Sequence, residues 1–186
     1  DVILIVDLLK SVLDIRYPTM LQPLERGTID FGYNIDTKSN IYGSLEEVFT
    51  IEVNKTASRY QLIISGIAID KRETSSDKEW QKIQLSENFI KFGTLKRSTK
   101  EVSRTIFVHN IGLEPLIIRK IECSNDAFKV KLSGKTTILG DGKSRLTVTL
   151  NPSSCDFGAV TGRITIVSND PQYPTRSFKV SAIIEN

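Results

Sequence analysis

The sequence predicts an all-β fold made of two tandem immunoglobulin-like β-sandwiches, the first of which lacks its N-terminal strands. Apolar and polar residues alternate along the chain with period two, which is the pattern of strands with one buried face. Segments rich in Gly, Asn, Pro and Ser interrupt this alternation at residues 140–143, 151–154 and 168–174. Short alternating runs between regularly spaced turns are typical of a sandwich.

The alternating pattern occurs twice. Residues 116–184 align with residues 3–69 with only small gaps, and an internal repeat of this kind indicates two copies of one structural unit. The matched positions are Ile29, Phe31 and Tyr33 with Leu146, Val148 and Leu150; Gly43 with Gly158; Phe49, Ile51 and Asn54 with Ile164, Ile166 and Asn169; and Leu62 and Ile64 with Phe178 and Val180.

Seven strands are predicted for the second copy. The first copy has counterparts only for the last five of them, so the partners of the first two would precede residue 1. We therefore predict a partial sandwich over residues 1–70, a linker over 71–82 and a complete sandwich over 83–186. The predicted strands are 83–92, which a kink could divide, 103–109, 115–122, 127–132, 144–150, 162–168 and 177–184.

Residues 1–14 admit either a helix or a strand. Their polar residues also fall at helical spacing, with apolar residues opposite them. The β-branched run Val2, Ile3, Ile5, Val6 and the alignment with residues 115–122 favour a strand.

The predicted linker is charged and nearly free of aliphatic residues. Trp80 is its exception. A large ring at this point is expected to form an interdomain contact, wedged between the sandwiches, and the alternative is an exposed contact for a partner.

Charge and hydropathy exclude two classes of function. The net charge is +3, but the basic residues are scattered along the strands, so no nucleic-acid binding is expected. No apolar run approaches the roughly 20 residues of a membrane-spanning helix. The chain opens on an aspartate and its first methionine is Met20, so we expect a mature or truncated product whose secretion signal is not in this sequence.

Two cysteines, Cys123 and Cys155, fit either a single disulfide or two buried thiols. If strands alternate in direction, the loops after 115–122 and 144–150 leave the sandwich at the same end. A disulfide there would close a loop of roughly 30 residues and add about 3 to 4 kcal/mol of stability.

No catalytic apparatus, cofactor or metal is expected. His109 is the only histidine, and at the end of a strand it has no identifiable nucleophile beside it. The segment G-D-G-K-S at 140–144 ends like a phosphate-binding loop, but Thr137 stands where that motif needs a glycine.

The acidic residues do not converge in the predicted fold. Glu46 and Glu47 are adjacent and therefore face opposite sides of a strand. Asp141 and Asp170 fall at one end of the predicted sandwich and Asp156 at the other, which does not match a calcium loop.

Three strings resemble a known family. They are F-G-T-L at 92–95, T-I-F-V-H-N-I-G-L-E-P-L-I-I at 105–118 and G-R-I-T-I-V-S-N-D-P at 162–171. They resemble the ASH/hydin-like immunoglobulin-fold domains and related tandem bacterial envelope domains of unknown function. The resemblance implies a sandwich used for adhesion or assembly. Many bacterial relatives carry a Cys-x-Cys pair where this chain has only Cys123.

The expected function is a non-catalytic protein-interaction or spacer module of a bacterial cell-envelope or secreted protein, located in the periplasm, at the outer membrane or outside the cell. Its partner would be another protein or assembly, with strand addition at the incomplete first domain as one route. The alternatives are a carbohydrate-binding sandwich, an accessory domain of a larger enzyme, and a cytoplasmic, cilium-type relative with reduced cysteines.

Overall fold

The computed structural model describes residues 2–6, 12–33, 41–53, 58–70 and 80–186 of the chain. The chain divides into two compact units, Asp1–Ala68 (unit 1) and Ile69–Asn186 (unit 2). Apart from one 3-10 turn at Pro152–Ser154, the regular structure of these residues is β. No helix among them is long and apolar enough to cross a membrane.

Fifteen strands make up the described structure. In unit 1 they are β1 (Val2–Val6), β2 (Val12–Arg16), β3 (Met20–Leu21), β4 (Asp30–Tyr33), β5 (Gly43–Val53) and β6 (Ser58–Ala68). In unit 2 they are β7 (Ile83–Leu85), β8 (Phe89–Lys96), β9 (Val102–Asn110), β10 (Leu116–Cys123), β11 (Phe128–Leu132), β12 (Thr137–Ile138), β13 (Lys143–Leu150), β14 (Gly158–Ser168) and β15 (Thr175–Glu185).

Unit 2 is an immunoglobulin-like sandwich of two sheets. One sheet has the order β12-β10-β14-β15-β8 and the other the order β11-β13-β9-β7. Alternate residues of the facing strands fill the space between the sheets, as the period-two pattern predicts. The core includes Ile106, Val108, Leu116, Leu146, Val148, Leu150, Ile164, Ile166, Phe178, Val180 and Ile184, each at most 2% exposed.

The seven strands predicted for this unit are all present, with two differences. The predicted strand 83–92 is divided: β7 pairs antiparallel with β9, and β8 pairs parallel with β15. The chain thus changes sheets between Leu85 and Phe89, within the segment for which a kink was considered. The two-residue strand β12, beside β10, was not predicted because two residues carry no periodicity.

Unit 1 has a four-stranded sheet of order β3-β1-β5-β6 and a two-stranded sheet of β2 and β4. The strand alternative for the first fourteen residues is confirmed at 2–6 and 12–14, and the rest of that range lies outside the described residues. Strands β5 and β6 form one long antiparallel hairpin, in which Gly43 pairs with Ala68 and Val53 with Ser58. The boundaries 1–70, 71–82 and 83–186 stay a prediction.

The side chains of Asp170, Asn169 and Asn110 stabilise one end of unit 2 by hydrogen bonds. The Asp170 carboxylate is 1% exposed and accepts hydrogen bonds from the amides of Ile83, Gln172 and Tyr173, each at 2.9 Å. Asn169 accepts from the Ile117 amide at 2.7 Å. Asp170 thus caps its own turn and also reaches the start of β7, whereas Asn169 bonds the neighbouring strand β10.

Asn110 is the third of these residues. Its side-chain oxygen accepts from the amides of Lys82 and Gly112, and its amide donates to the carbonyls of Glu114 and Ile138. All the bonding capacity of a buried amide is thereby used, which avoids the cost of an unsatisfied group.

Gly112 is needed at this end for a reason that the sequence did not reveal. A glycine in an Asn-Ile-Gly turn suits left-handed dihedrals, but Gly112 is not among the residues with positive φ. An added Cβ would instead lie 1.9 Å from the Trp80 carbonyl oxygen. Close backbone approach, and not φ, therefore selects glycine.

We expect Asp170→Ala to lower the free energy of unfolding of unit 2 by about 2 to 4 kcal/mol, because three amides lose a buried charged acceptor. Asp156→Ala is the matched control, since Asp156 is an exposed loop carboxylate, and should change stability by less than about 0.5 kcal/mol. Urea unfolding followed by tryptophan fluorescence measures both. Equal effects would contradict the assigned role.

Candidate interaction site

The candidate site is the outer edge of unit 1 along β6. This strand has 11 residues, and among the described residues its one partner strand is β5. Its unpaired side is therefore a row of backbone N–H and C=O groups available to another extended segment.

The side chains of β6 that face the core are only partly covered. Leu62 is 39% exposed, whereas Phe178, the residue that matches it in the repeat, is 2% exposed. Ile64 is half-buried, and its match Val180 is 1% exposed. The pattern of apolar residues is alike in the two strands. The difference in exposure therefore comes from the neighbouring segments that cover them.

A narrow apolar cleft of about 10 Å³ lies beneath this edge, and farther along β6 one glycine faces open space. A Cβ added at Gly66 of β6 would meet no atom within 4 Å. Phe31 and Phe49 pack with their ring centroids 5.9 Å apart, and Phe31 remains 38% exposed. The cleft is lined by Ile15, Ile29, Phe31, Phe49, Ile51 and Leu62.

The edges of unit 2 carry features that discourage strand pairing. At one edge of each sheet the strand is only two or three residues long, β12 and β7. The other two edges carry exposed lysines, Lys91 and Lys96 on β8 and Lys129 and Lys131 on β11. Short strands and lysines are the usual protection of a sheet edge.

Strand β6 has neither form of protection. Its one charged residue is Arg59, near its start, which forms an ion pair with Glu52 of β5 at 2.9 Å. From Tyr60 to Ala68 the strand is long and uncharged, and it exposes Ile63 and Ile67 by more than half. An edge of this composition is expected to be covered by another chain segment when the protein functions.

The two cysteines are free thiols in the structure. Cys155 is buried, and its Sγ lies 3.4 Å from the Asn151 carbonyl oxygen. Cys123, half-buried, ends β10 beside Gly162. A disulfide stays a prediction for oxidised protein, which thiol titration under denaturing, non-reducing conditions would test.

Trp80 is half-buried at the start of the described part of unit 2, where its carbonyl lies against Gly112. The neighbouring residues Gln81 and Lys82 are hydrogen-bonded to Asn169 and Asn110. The last residues of the predicted linker are therefore tied to unit 2. The interdomain contact of Trp80 stays a prediction.

The other residues considered for chemistry lie apart from one another. His109 is half-buried in β9, between Gln84 and Lys143 of the flanking strands. Asp141 is exposed in the β12–β13 turn, and Asp156 is exposed beyond the 3-10 turn. Within the described residues, no three His, Cys, Asp or Glu side chains are placed to hold a metal ion.

Two exposed aromatic residues of the unit 2 loops lie beside cationic side chains. Phe157 has the Arg97 guanidinium 5.0 Å from its ring centroid, and Tyr173 has that of Arg176 at 4.2 Å. Each ring thus has a cation on one face. The carbohydrate-binding alternative gains no support from these side chains.

Comparison with known proteins identifies the family. Residues 81–182 match the family described as HYDIN/CFA65/VesB-like, Ig-like domain. The chain belongs to this family. An immunoglobulin-like domain of this type is a non-catalytic module, and the resemblance noted in residues 92–95, 105–118 and 162–171 is confirmed.

A solved structure shows the same fold, and two others have lower similarity. A crystal structure of a protein of unknown function from Porphyromonas gingivalis W83 matches 97% of this chain and 84% of its own, with a TM-score of 0.67 and 19% identity. The ASH/PapD-like domain 7 of human CEP192 matches 64% of this chain and 94% of its own, with a TM-score of 0.47 and 13% identity. The Vibrio cholerae VesB protease matches 56% of this chain and 32% of its own, with a TM-score of 0.43 and 11% identity. No curated protein matches the chain in sequence.

Truncation of equivalent core residues in the two units measures how well each residue is covered. We expect Phe178→Ala to cost about 3 to 5 kcal/mol in the unfolding of unit 2. In unit 1 the equivalent Leu62→Ala should cost about 1 kcal/mol, because 39% of its side chain already faces solvent. Denaturant unfolding of the full chain gives both values. A large cost at Leu62 would contradict the uncovered core.

Proposed function

We propose that this chain is a non-catalytic protein-interaction module of a bacterial cell-envelope or secreted protein, and that it accepts an extended segment of a partner protein as an added strand along β6. The observation that carries the proposal is the contrast between the edges. Unit 2 has short or lysine-bearing edges, whereas unit 1 presents an uncharged apolar edge whose core-facing side chains are only partly covered.

Two physical terms support this mode of binding. Backbone hydrogen bonds along an edge are each worth about 0.5 to 1.5 kcal/mol net. An added strand would also cover Leu62, Ile64 and the cleft beside them, which contributes roughly 25 cal/mol per Å² of apolar surface. Backbone bonds supply affinity in such complexes, and alternate side chains supply specificity.

The strand order of unit 1 supports the interpretation of this unit as a partial sandwich. Its order β3-β1-β5-β6 corresponds to the order β12-β10-β14-β15 in unit 2, and β2-β4 corresponds to β11-β13. Strands equivalent to β7, β8 and β9 are the ones without a counterpart among the described residues. The position beside β6 is therefore the one that β8 fills in unit 2.

Site-specific crosslinking tests the proposal in the native host. A photoreactive residue at Ile67, on the outward face of the edge strand, should crosslink to an extended segment of a partner. The same residue at Val48 is the control, because Val48 is 40% exposed but lies in β5, one strand away from the edge. Mass spectrometry then identifies the crosslinked segment.

The expected product joins this chain to another polypeptide at Ile67 only. Equal crosslinking at both positions would contradict an edge site. A crosslink from Ile67 to a preceding segment of the same polypeptide, with an intact mass clearly above 20.9 kDa, would overturn the partner and assign the edge to an intramolecular strand.

A pair of lysine variants gives an independent test. Gly66→Lys is tolerated in the free chain, because its Cβ has open space, but an added strand would bury its charge. We expect the crosslink yield at Ile67 to fall by about tenfold or more. Ser65→Lys, on the outward face, should leave the yield within about twofold of the parent chain.

A further inference from the structure

Unit 2 contains the strand that the edge of unit 1 lacks, and this strand serves as a template for the missing one. Strand β8 lies beside β15 and runs parallel to it, with Ile90 next to Val180 and Leu95 next to Ile184. Strands β15 and β6 occupy the same place in their sheets, each as the second strand of the long hairpin. The direction, register and apolar pattern of β8 beside β15 therefore specify the strand that a partner must place beside β6.

The sequence of β8 is adapted to this place by a bulge. The register shifts between Ser181 and Ala182, so that Phe92 is an extra residue on β8. Ile90 and Phe92 are both buried, and Phe92 packs on Phe128 with ring centroids 5.9 Å apart. The next residue, Gly93, has φ of +79°, which side chains with a Cβ adopt only under strain.

We infer that the segment added to β6 runs parallel to it and carries the pattern apolar-x-apolar-Gly-x-apolar. This inference rests on the proposed function. By the repeat, the first apolar residue lies beside Ile64, the glycine beside Gly66 and the last apolar residue beside Ala68. The first two apolar side chains face the core side of β6, beside the partly covered Leu62 and Ile64, where a charged residue would lose its hydration without gaining a partner.

The parallel direction decides between two kinds of occupant. Two copies of this chain that paired β6 with β6 around a two-fold axis would form an antiparallel junction, because each strand would meet its own image reversed. A parallel strand must come from a different segment. The occupant is therefore not the β6 edge of a second copy, and under the proposed function it is an extended apolar segment of another protein.

A synthetic peptide copying Phe89–Lys96, the template strand, tests the pattern on the full chain. Labelled with fluorescein, it should bind the parent chain and the Ser65→Lys variant equally and the Gly66→Lys variant at least about tenfold more weakly. A matched peptide with Phe92→Lys and Gly93→Val should also bind at least about tenfold more weakly, since it loses the apolar residue and the bulge.

A nitroxide at the peptide N-terminus tests the direction. Phe89 lies beside Lys179 in unit 2, so the label should broaden amide signals near Leu62 and Ile63. Broadening near Ala68 and Ile69 instead would show an antiparallel strand and overturn the inference. A rise in the mass of the free chain to that of a dimer, reversed by Gly66→Lys, would also overturn it.

The remaining outcomes separate this inference from the proposed function. Equal binding of both peptides would overturn the pattern while strand addition stands. Failure of both peptides, with a partner still crosslinked at Ile67, would likewise overturn only the pattern. Failure of both peptides and no crosslink at Ile67 would overturn the proposed function together with it.

Discussion

Each β-strand has two rows of backbone donors and acceptors, and each row needs a partner, water or protection. This constraint accounts for both units of the molecule. In unit 2, division of the first strand lets β7 complete one sheet and β8 the other, and the edges that remain are short or bear lysines. In unit 1 the same constraint is left unmet along β6 among the described residues, and this strand is therefore the one suited to receive a partner.

Much of unit 2 could be predicted because each strand has an alternating pattern within its own sequence. Leu146, Val148 and Leu150 alternate with polar residues, and such a run has one buried face whatever its neighbours are. The bonds of Asp170 to the Gln172 and Tyr173 amides are likewise local, and they are of the kind that an aspartate in a turn favours. Gly112 could not, since its close approach to the Trp80 carbonyl depends on a segment about 30 residues away.

The candidate site was less accessible to sequence analysis because pairing is non-local. Leu62 and Phe178 occupy equivalent places in similar patterns, yet their exposures are 39% and 2%. Their core-facing neighbours in the two strands do not distinguish them, because the covering strand is contributed from elsewhere. One signal was present and unused: the uncharged run from Tyr60 to Ala68, which contrasts with the lysines of β8 and β11.

An apolar face that stays in contact with water costs free energy. The apolar composition of the open β6 edge therefore needs an explanation. A strand with no partner would be most soluble with charges on it, as the exposed face of β11 illustrates with Lys129 and Lys131. The β6 sequence instead keeps Leu62 and Ile64 in core phase and leaves Gly66 free of neighbours. These residue types suit a strand that is flanked on both sides, since inward apolar groups stabilise a sheet only when a neighbouring strand excludes water from them. The composition of β6 is thus that of an interior strand placed at an edge.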